Sequence, residues 1–335
     1  MNAAIRPGRD TDAAGFIDLV RACWGEYPSI VFDLDGEVPE LRALAAYYAA
    51  RGGALWAADD AAGRLVGMIA VRPAEAGEPG GSWEICRLYT DRAHRGGGLG
   101  ARLLATAEAH AAAAGASRLV LWSDTRFERA HRFYEKHSYL REGGLRPLND
   151  LSNSLEYGYA KTWRGVAVLD AAAAASAAIR LGCLLEECVA GGAAVAFLPP
   201  LGRAAAQAFW RRAATAVAQG RRMLLAAWEQ GLLAGTVSLD LDMAPDQAHR
   251  AELQSLLVDP GFRRRGLGRA LLALAEQEAA AAGRSLLVLQ ARAGDASAAL
   301  FRSAGWTEAG RIPGGTRAAD GTPADTLVFY RTLRI

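Results

Sequence analysis

Two short stretches of this 335-residue chain hold residue types suited to gripping a phosphate without a metal. One carries Arg95, Gly98 and Gly100, the other Arg263, Gly266 and Gly268, each spaced as Arg-x-x-Gly-x-Gly. Glycine lets the main chain approach a ligand oxygen with no Cβ in the way. A loop feeding a helix start also gathers unpaired N–H groups and the positive end of the helix dipole around one spot. That combination suits a pyrophosphate. Ahead of each loop, at the same spacing, stands a glutamate, Glu84 or Glu252. A carboxylate repeated at one register is a candidate for moving a proton, against the plainer reading of a strand-surface salt bridge. Two other phosphate loops fit less well. A P-loop ends in Gly-Lys-Ser/Thr, which neither stretch has, and a dinucleotide fingerprint on Gly96, Gly98 and Ala101 is broken in the second stretch by Arg264. A Gly-rich turn that only packs a helix on a sheet is the bland alternative, and recurrence argues against it.

The elements that position these residues are written twice. Glu84 answers Glu252, Asp91 answers Asp259, Arg95 answers Arg263 and Gly115 answers Gly283, each partner lying 168 residues further on (252 against 84, 283 against 115). An ungapped match this long predicts two copies of one domain rather than a solenoid. In each copy an alternating strand, 84–89 or 252–258, enters the loop. Alternation there places Glu84, Cys86 and Leu88 on one face. A helix follows, with apolar residues at Leu99, Leu103, Leu104 and Ala107 or at Leu267, Leu271, Leu272 and Ala275, and Gly115 or Gly283 stops it. A continuous apolar strand comes next, 118–122 or 285–289, and then a short helix carrying Phe133 and Tyr134 or Leu300 and Phe301. Upstream, a helix over 12–24 and a strand over 63–71 open the first copy. The strand 166–169, a helix around 179–188 and the strand 232–239 open the second. The boundary is expected after the strand 157–163, giving domains 1–163 and 164–335, with a helix starting in the Ala-rich run 170–178.

Composition narrows the function classes. The chain is 51% hydrophobic and 22% charged, and 38 basic against 36 acidic residues leave a net charge of +2. No basic excess favours nucleic acid. The four cysteines form no C-x-x-C pair, which predicts reduced thiols and a cytoplasmic setting. No segment reads as a membrane span, and the five histidines have no metal-ligand spacing, so neither membrane nor metal is expected.

Arg-x-x-Gly-x-Gly/Ala after a mixed-sheet strand resembles the acetyl-CoA loop of the GNAT superfamily of N-acetyltransferases. The first copy adds RAHRFYEKHSYL at 129–140, which is similar to that family's A-x-x-F-Y-E-K helix and following strand. The second copy resembles the branch containing the tabtoxin-resistance acetyltransferases. The resemblance implies an α/β fold built on a mixed α+β sheet, duplicated in tandem, with a gap between two central strands that takes the pantetheine arm. It implies acetyl-CoA as cofactor and transfer of acetyl to an amine.

On that reading Glu84 and Glu252 assist deprotonation of the amine, and Tyr134 protonates the departing thiolate. The strand ends Leu88, Tyr89, Thr90 and Leu257, Val258 serve the thioester and pantetheine. Arg95, Gly96, Gly97, Gly98, Leu99, Gly100 and Ala101, and Arg263, Arg264, Arg265, Gly266, Leu267, Gly268 and Arg269, cradle the diphosphate. Phe301 matches Tyr134, and a phenyl ring cannot donate a proton. Catalysis is therefore expected in the first copy, while the second is either degenerate or of separate specificity. A small-molecule primary amine is the expected acceptor. An acyl-CoA-binding regulatory role for the second copy and acetylation of protein lysines are the competing readings. Asp124 is a further candidate for contact with the amine. Trp24, Glu26 and Tyr27 fall in the expected substrate loop of the first copy, and Phe197, Pro199 and Pro200 in that of the second. A monomer with pseudo-dimeric packing and a homodimer both fit.

Overall fold

The strand runs and helical spacings become fourteen strands and eight α-helices within residues 3–74 and 81–334, which the computed structural model describes. The first half runs β1 (Ala4–Pro7), α1 (Ala13–Trp24), α2 (Leu44–Ala49), β2 (Ala54–Asp59), β3 (Leu65–Pro73) and β4 (Ser82–Thr90). It continues through α3 (Leu99–Ala113), β5 (Arg118–Asp124), α4 (Glu128–Lys136), β6 (Leu140–Pro147) and β7 (Leu155–Thr162). The second half runs β8 (Gly165–Leu169), α5 (Ala171–Ala190), α6 (Arg203–Ala218), β9 (Arg222–Glu229), β10 (Leu232–Asp240) and β11 (Arg250–Val258). Then come α7 (Leu267–Ala281), β12 (Leu286–Arg292), α8 (Ala296–Ser303), β13 (Thr307–Arg317) and β14 (Pro323–Thr332). Contacts group the chain into two units. One holds the residues up to Arg132 with Glu142–Trp163, and the other holds Phe133–Arg141 with those from Arg164 onward.

Each half contributes one seven-stranded mixed sheet. The first has the order β1-β2-β3-β4-β5-β7-β6, and the second, read from β8, has the matching order β8-β9-β10-β11-β12-β14-β13. In each sheet one central pair is parallel, β4 with β5 and β11 with β12. That pairing is short. It joins Ser82–Glu84 to Arg118–Val120 and Arg250–Glu252 to Leu286–Val288, and stops at the glutamate in both cases.

A β-bulge explains the stop. Register slips between Met68 and Ala70 opposite β4, and between Thr236 and Ser238 opposite β11. The residues responsible, Arg87 and Ser255, have φ of 53° and 54°. An extra residue in the left-handed region bends its strand and ends local pairing. The bulge also corrects the alternation read from sequence. Leu88 does not continue the Glu84–Cys86 face, because Tyr89 packs with Cys86 against the cluster around Phe16, Val20, Tyr48 and Met68.

The helices after the loops bury the stripe that their spacing predicts. Leu99, Leu103, Leu104, Ala107 and Ala111 are buried in α3, and Leu267, Leu271, Leu272, Ala275 and Ala279 in α7. Each buried leucine contributes about 1.5–3 kcal/mol of hydrophobic stabilisation. Both helices end before a glycine at positive φ, Gly115 (85°) or Gly283 (73°). In α5 the alanine run is helical from its first residue, because Asp170 accepts a hydrogen bond from Ala173 N at 2.8 Å.

Candidate active site

Between each bulged strand and its helix the loop is built alike. Asp91 accepts from Ala93 N at 3.0 Å and Asp259 from Gly261 N at 2.9 Å, which tightens the turn after the strand. Gly98 and Gly266 then open the helices at φ of 83° and 87°, and no side chain caps either helix start. The first helical hydrogen bonds run from Arg102 N to Gly98 O and from Ala270 N to Gly266 O. The amides of Leu99, Gly100 and Ala101, and of Leu267, Gly268 and Arg269, therefore have no helical partner. A Cβ built on Gly96, Gly97, Gly98 or Gly266 meets nothing within 4 Å. Packing does not call for glycine there; at Gly96, Gly98 and Gly266 the left-handed backbone does.

The loop arginines diverge between the copies. Arg95 Nε donates to Thr90 O at 3.0 Å, and its Nη1 and Nη2 donate to Glu26 at 2.7 and 2.5 Å. The guanidinium, expected on the diphosphate, is turned onto a carboxylate at the end of α1. Those hydrogen bonds hold the Glu26 carboxyl below its ordinary range and raise Arg95. In the second copy Arg263 Nε makes the matching bond to Val258 O at 3.2 Å, and among the described residues no carboxylate pairs with it. Arg263, Arg264 and Arg265 are exposed. A cysteine backs each strand end: Cys23 Sγ lies 3.6 Å from Thr90 O and Cys188 Sγ 3.6 Å from Val258 O. Burial raises both thiols.

The strand glutamates also differ. Arg72, opposite Glu84 across β3 and β4, sends Nε (3.0 Å) and Nη2 (2.7 Å) to Oε2 of Glu84. Glu84 Oε1 accepts no hydrogen bond among the described residues. Glu252 faces Asp240 instead, and Arg222 on β9 neutralises Asp240 at 3.0 Å. Asp124 is engaged on both oxygens by Arg126, at 2.8 and 2.5 Å. Burial alone would raise it, yet Arg126 holds it below the ordinary carboxylate range.

Tyr134 is a buried phenol on α4, its ring 5.5 Å from Phe133 and 5.8 Å from Tyr139. Phe301 is core, packed on Trp306 and Phe329. His131 stacks on Tyr159 and contacts Asp124 O at 2.9 Å, a packing role. Trp24 Nε1 donates to Tyr89 Oη at 2.9 Å, Tyr27 packs tilted against Phe127, and Phe197 packs on Phe209. Sequence reasoning missed Arg72, Arg146, Glu156 and the pair of Arg87 with Glu40. For Arg72 the hairpin register held the signal. The same holds for Arg146 and Glu156, ten residues apart on the neighbouring strands β6 and β7, whereas Arg87 and Glu40 are 47 residues apart.

The model of the acetyltransferase (GNAT) family matches residues 16–139 and again 196–306. The chain belongs to the GNAT acetyltransferase family. Among solved structures, a GNAT-family acetyltransferase from Staphylococcus aureus Mu50 is 16% identical, covering 48% of this chain and 99% of that one, with a TM-score of 0.42. The yncA protein of Salmonella typhimurium, solved with acetyl-CoA, is 20% identical over 52% of this chain and 95% of that one (TM-score 0.44). A ribosomal-protein-alanine N-acetyltransferase from Brucella melitensis is 24% identical over 50% and 99% (TM-score 0.42).

GNAT acetyltransferases use acetyl-CoA, and the residues present fit it. The uncapped amides after Gly98 and Gly266 suit its diphosphate, and beyond Glu84 and Glu252 β4 no longer pairs with β5 nor β11 with β12. Among the described residues no group of three or more His, Cys, Asp or Glu is placed to hold a metal, and no helix is long and apolar enough to cross a membrane.

Proposed function

We propose that this GNAT protein acetylates the primary amine of a small molecule, with the chemistry in the N-terminal copy of the repeat. The observation that carries the reading is the bulge at Arg87 beside the uncapped start of α3. Together they offer a strand gap and an anion cradle next to Glu84. Bound acetyl-CoA supplies an acetyl group already activated as a thioester. The chain supplies alignment and proton transfer. Glu84 is held by Arg72 through Oε2, which leaves Oε1 to take a proton from the amine, directly or through a water. Tyr134 Oη is the donor to the leaving sulfur. A small acceptor is favoured over a protein lysine because no acidic run flanks either loop.

Phe301 supports a second reading for the other unit. With its binding loop intact and a phenyl ring in place of the phenol, it holds acyl-CoA without turning it over rapidly, and Glu252 is its candidate base. An amine library assayed by thiol release on the full chain tests both readings. E84Q and Y134F each lower turnover by about 10- to 10⁴-fold. Wild-type rates in the double variant would remove both assignments. Calorimetry with CoA on the full chain should show two sites, and a single site abolished by G98A would end the claim for the second unit.

A further inference from the structure

Glu84 has a companion on its own face of the sheet. Register pairs Arg72 with Glu84, Glu84 with Val120 and Asp124 with Glu156. Side chains at 72, 84, 120, 122, 124 and 156 therefore emerge together from β3, β4, β5 and β7. Arg146 gives both Nε (3.0 Å) and Nη2 (2.5 Å) to Glu156 Oε2, as Arg72 does to Glu84 Oε2. Among the described residues neither glutamate's Oε1 accepts a hydrogen bond, whereas Asp124 has both oxygens taken. Arg146 is fixed by lying 3.9 Å from the Trp122 ring centre. Its side chain is 42% exposed against 15% for Glu156, so the guanidinium sits to the solvent side with the carboxylate beneath it. Burial raises the Glu156 carboxyl despite Arg146, and the charges of Asp124 and Glu84 raise it further. Such a carboxylate gains from a second cation.

The second unit supplies the contrast. At matching places it carries Asp240 for Arg72, Gln290 for Trp122, Arg292 for Asp124 and, opposite Arg292, the buried Thr326 for Glu156. It keeps the strand glutamate, Glu252, and lacks the second carboxylate.

The geometry points to Glu156 as the acceptor-selecting residue of the first unit. Its Oε1 receives the second ammonium of a diamine whose reacting nitrogen lies at Glu84. The inference rests on the acetyl transfer proposed above. Four residues along β5 and two strand spacings separate the two glutamate Cα atoms by roughly 16 Å. A diamine with several methylenes between its nitrogens suits that span better than a short one.

The test is steady-state kinetics on the full chain with a homologous series of straight-chain diamines and monoamines of equal length. Wild type should favour the diamine at one optimal length. E156Q should cut the diamine-over-monoamine ratio of kcat/KM by about 10- to 100-fold, chiefly through KM, as expected for a lost bond to a charged partner. E156D should recover part of the ratio. A purely structural role would lower both series together and leave the ratio alone; that result, or no diamine preference in wild type, overturns the inference while acetyl transfer stands. Thiol release from neither series, with acetyl-CoA still bound, would instead overturn the transfer reaction itself.

Discussion

Arg95 and Arg263 occupy one motif position yet should do different work, and substituting each tests this. R95A removes the Nε bond to Thr90 O at 3.0 Å and both bonds to Glu26 at 2.7 and 2.5 Å. The ion pair is only 18% and 26% exposed. A partly exposed bidentate pair is worth about 1 kcal/mol, and the charged bond to the carbonyl ending β4 about 1–2 kcal/mol more. R263A removes one bond, to Val258 O at 3.2 Å, from an exposed side chain, for about 1 kcal/mol. At about 2–4 °C per kcal/mol, R95A should lower the melting transition of its unit by about 4–12 °C and R263A by about 2–4 °C. CoA affinity should run the other way. R263A should weaken binding in the second unit by about tenfold, because that guanidinium has no carboxylate competing with a phosphate. Scanning calorimetry and CoA titration of the full chain measure both. E26Q closes a double-mutant cycle whose coupling should be about 0.5–1 kcal/mol. Equal destabilisation by the two variants, or loss of CoA binding in R95A without loss of stability, would refute this reasoning.

The Glu26 carboxyl is depressed in the folded protein, so it binds more protons when unfolded and its contribution grows with pH. Wild type should exceed E26Q by at most about 1 kcal/mol at neutral pH, and urea titrations should show that margin vanish as pH falls below the ordinary value of 4.5. G98A forces a Cβ onto φ of 83° and should cost about 1–2 kcal/mol, whereas G97A, with open space and no positive φ, should be neutral in the same melts. D170A removes the bond to Ala173 N that starts α5 and should cost about 1 kcal/mol by urea unfolding.

The duplication and the strand–loop–helix–strand order were legible because they rest on spacing, while the mixed sheet was legible only through the family resemblance. Apolar positions repeat at helical intervals in α3 and α7, and the stop glycines Gly115 and Gly283 adopt the left-handed backbone that the residue type implies. The bulge was not legible. Arg87 and Ser255 do not advertise a positive φ, so strict alternation misplaced Leu88 relative to Glu84. The pairing of Arg95 with Glu26 was not legible, because Glu26 lies 69 residues away at the end of another element. Glu156 escaped notice for a related reason. Its meaning comes from facing Asp124 across β5 and β7, a register that no local pattern states.

The two copies share backbone where they differ in side chain. Arg87 and Ser255 hold φ of 53° and 54°, and Gly96 and Arg264 hold 82° and 65°. Left-handed backbone costs a side-chain-bearing residue about 1–2 kcal/mol, and the chain bears it at Arg87, Ser255 and Arg264. Strain of that kind persists where the geometry it sets is used: here, the parting of the central strands and the aim of the loop amides. The acceptor-side positions follow no such constraint, with Arg72, Trp122, Asp124 and Glu156 answered by Asp240, Gln290, Arg292 and Thr326. Were the second unit also to transfer acetyl, the differently charged faces beside its like-built loop would predict two different amines rather than a doubled rate on one. If both units are active, E84Q and E252Q should silence different members of an amine library. Loss of the same members in both variants would show that the faces do not set the choice.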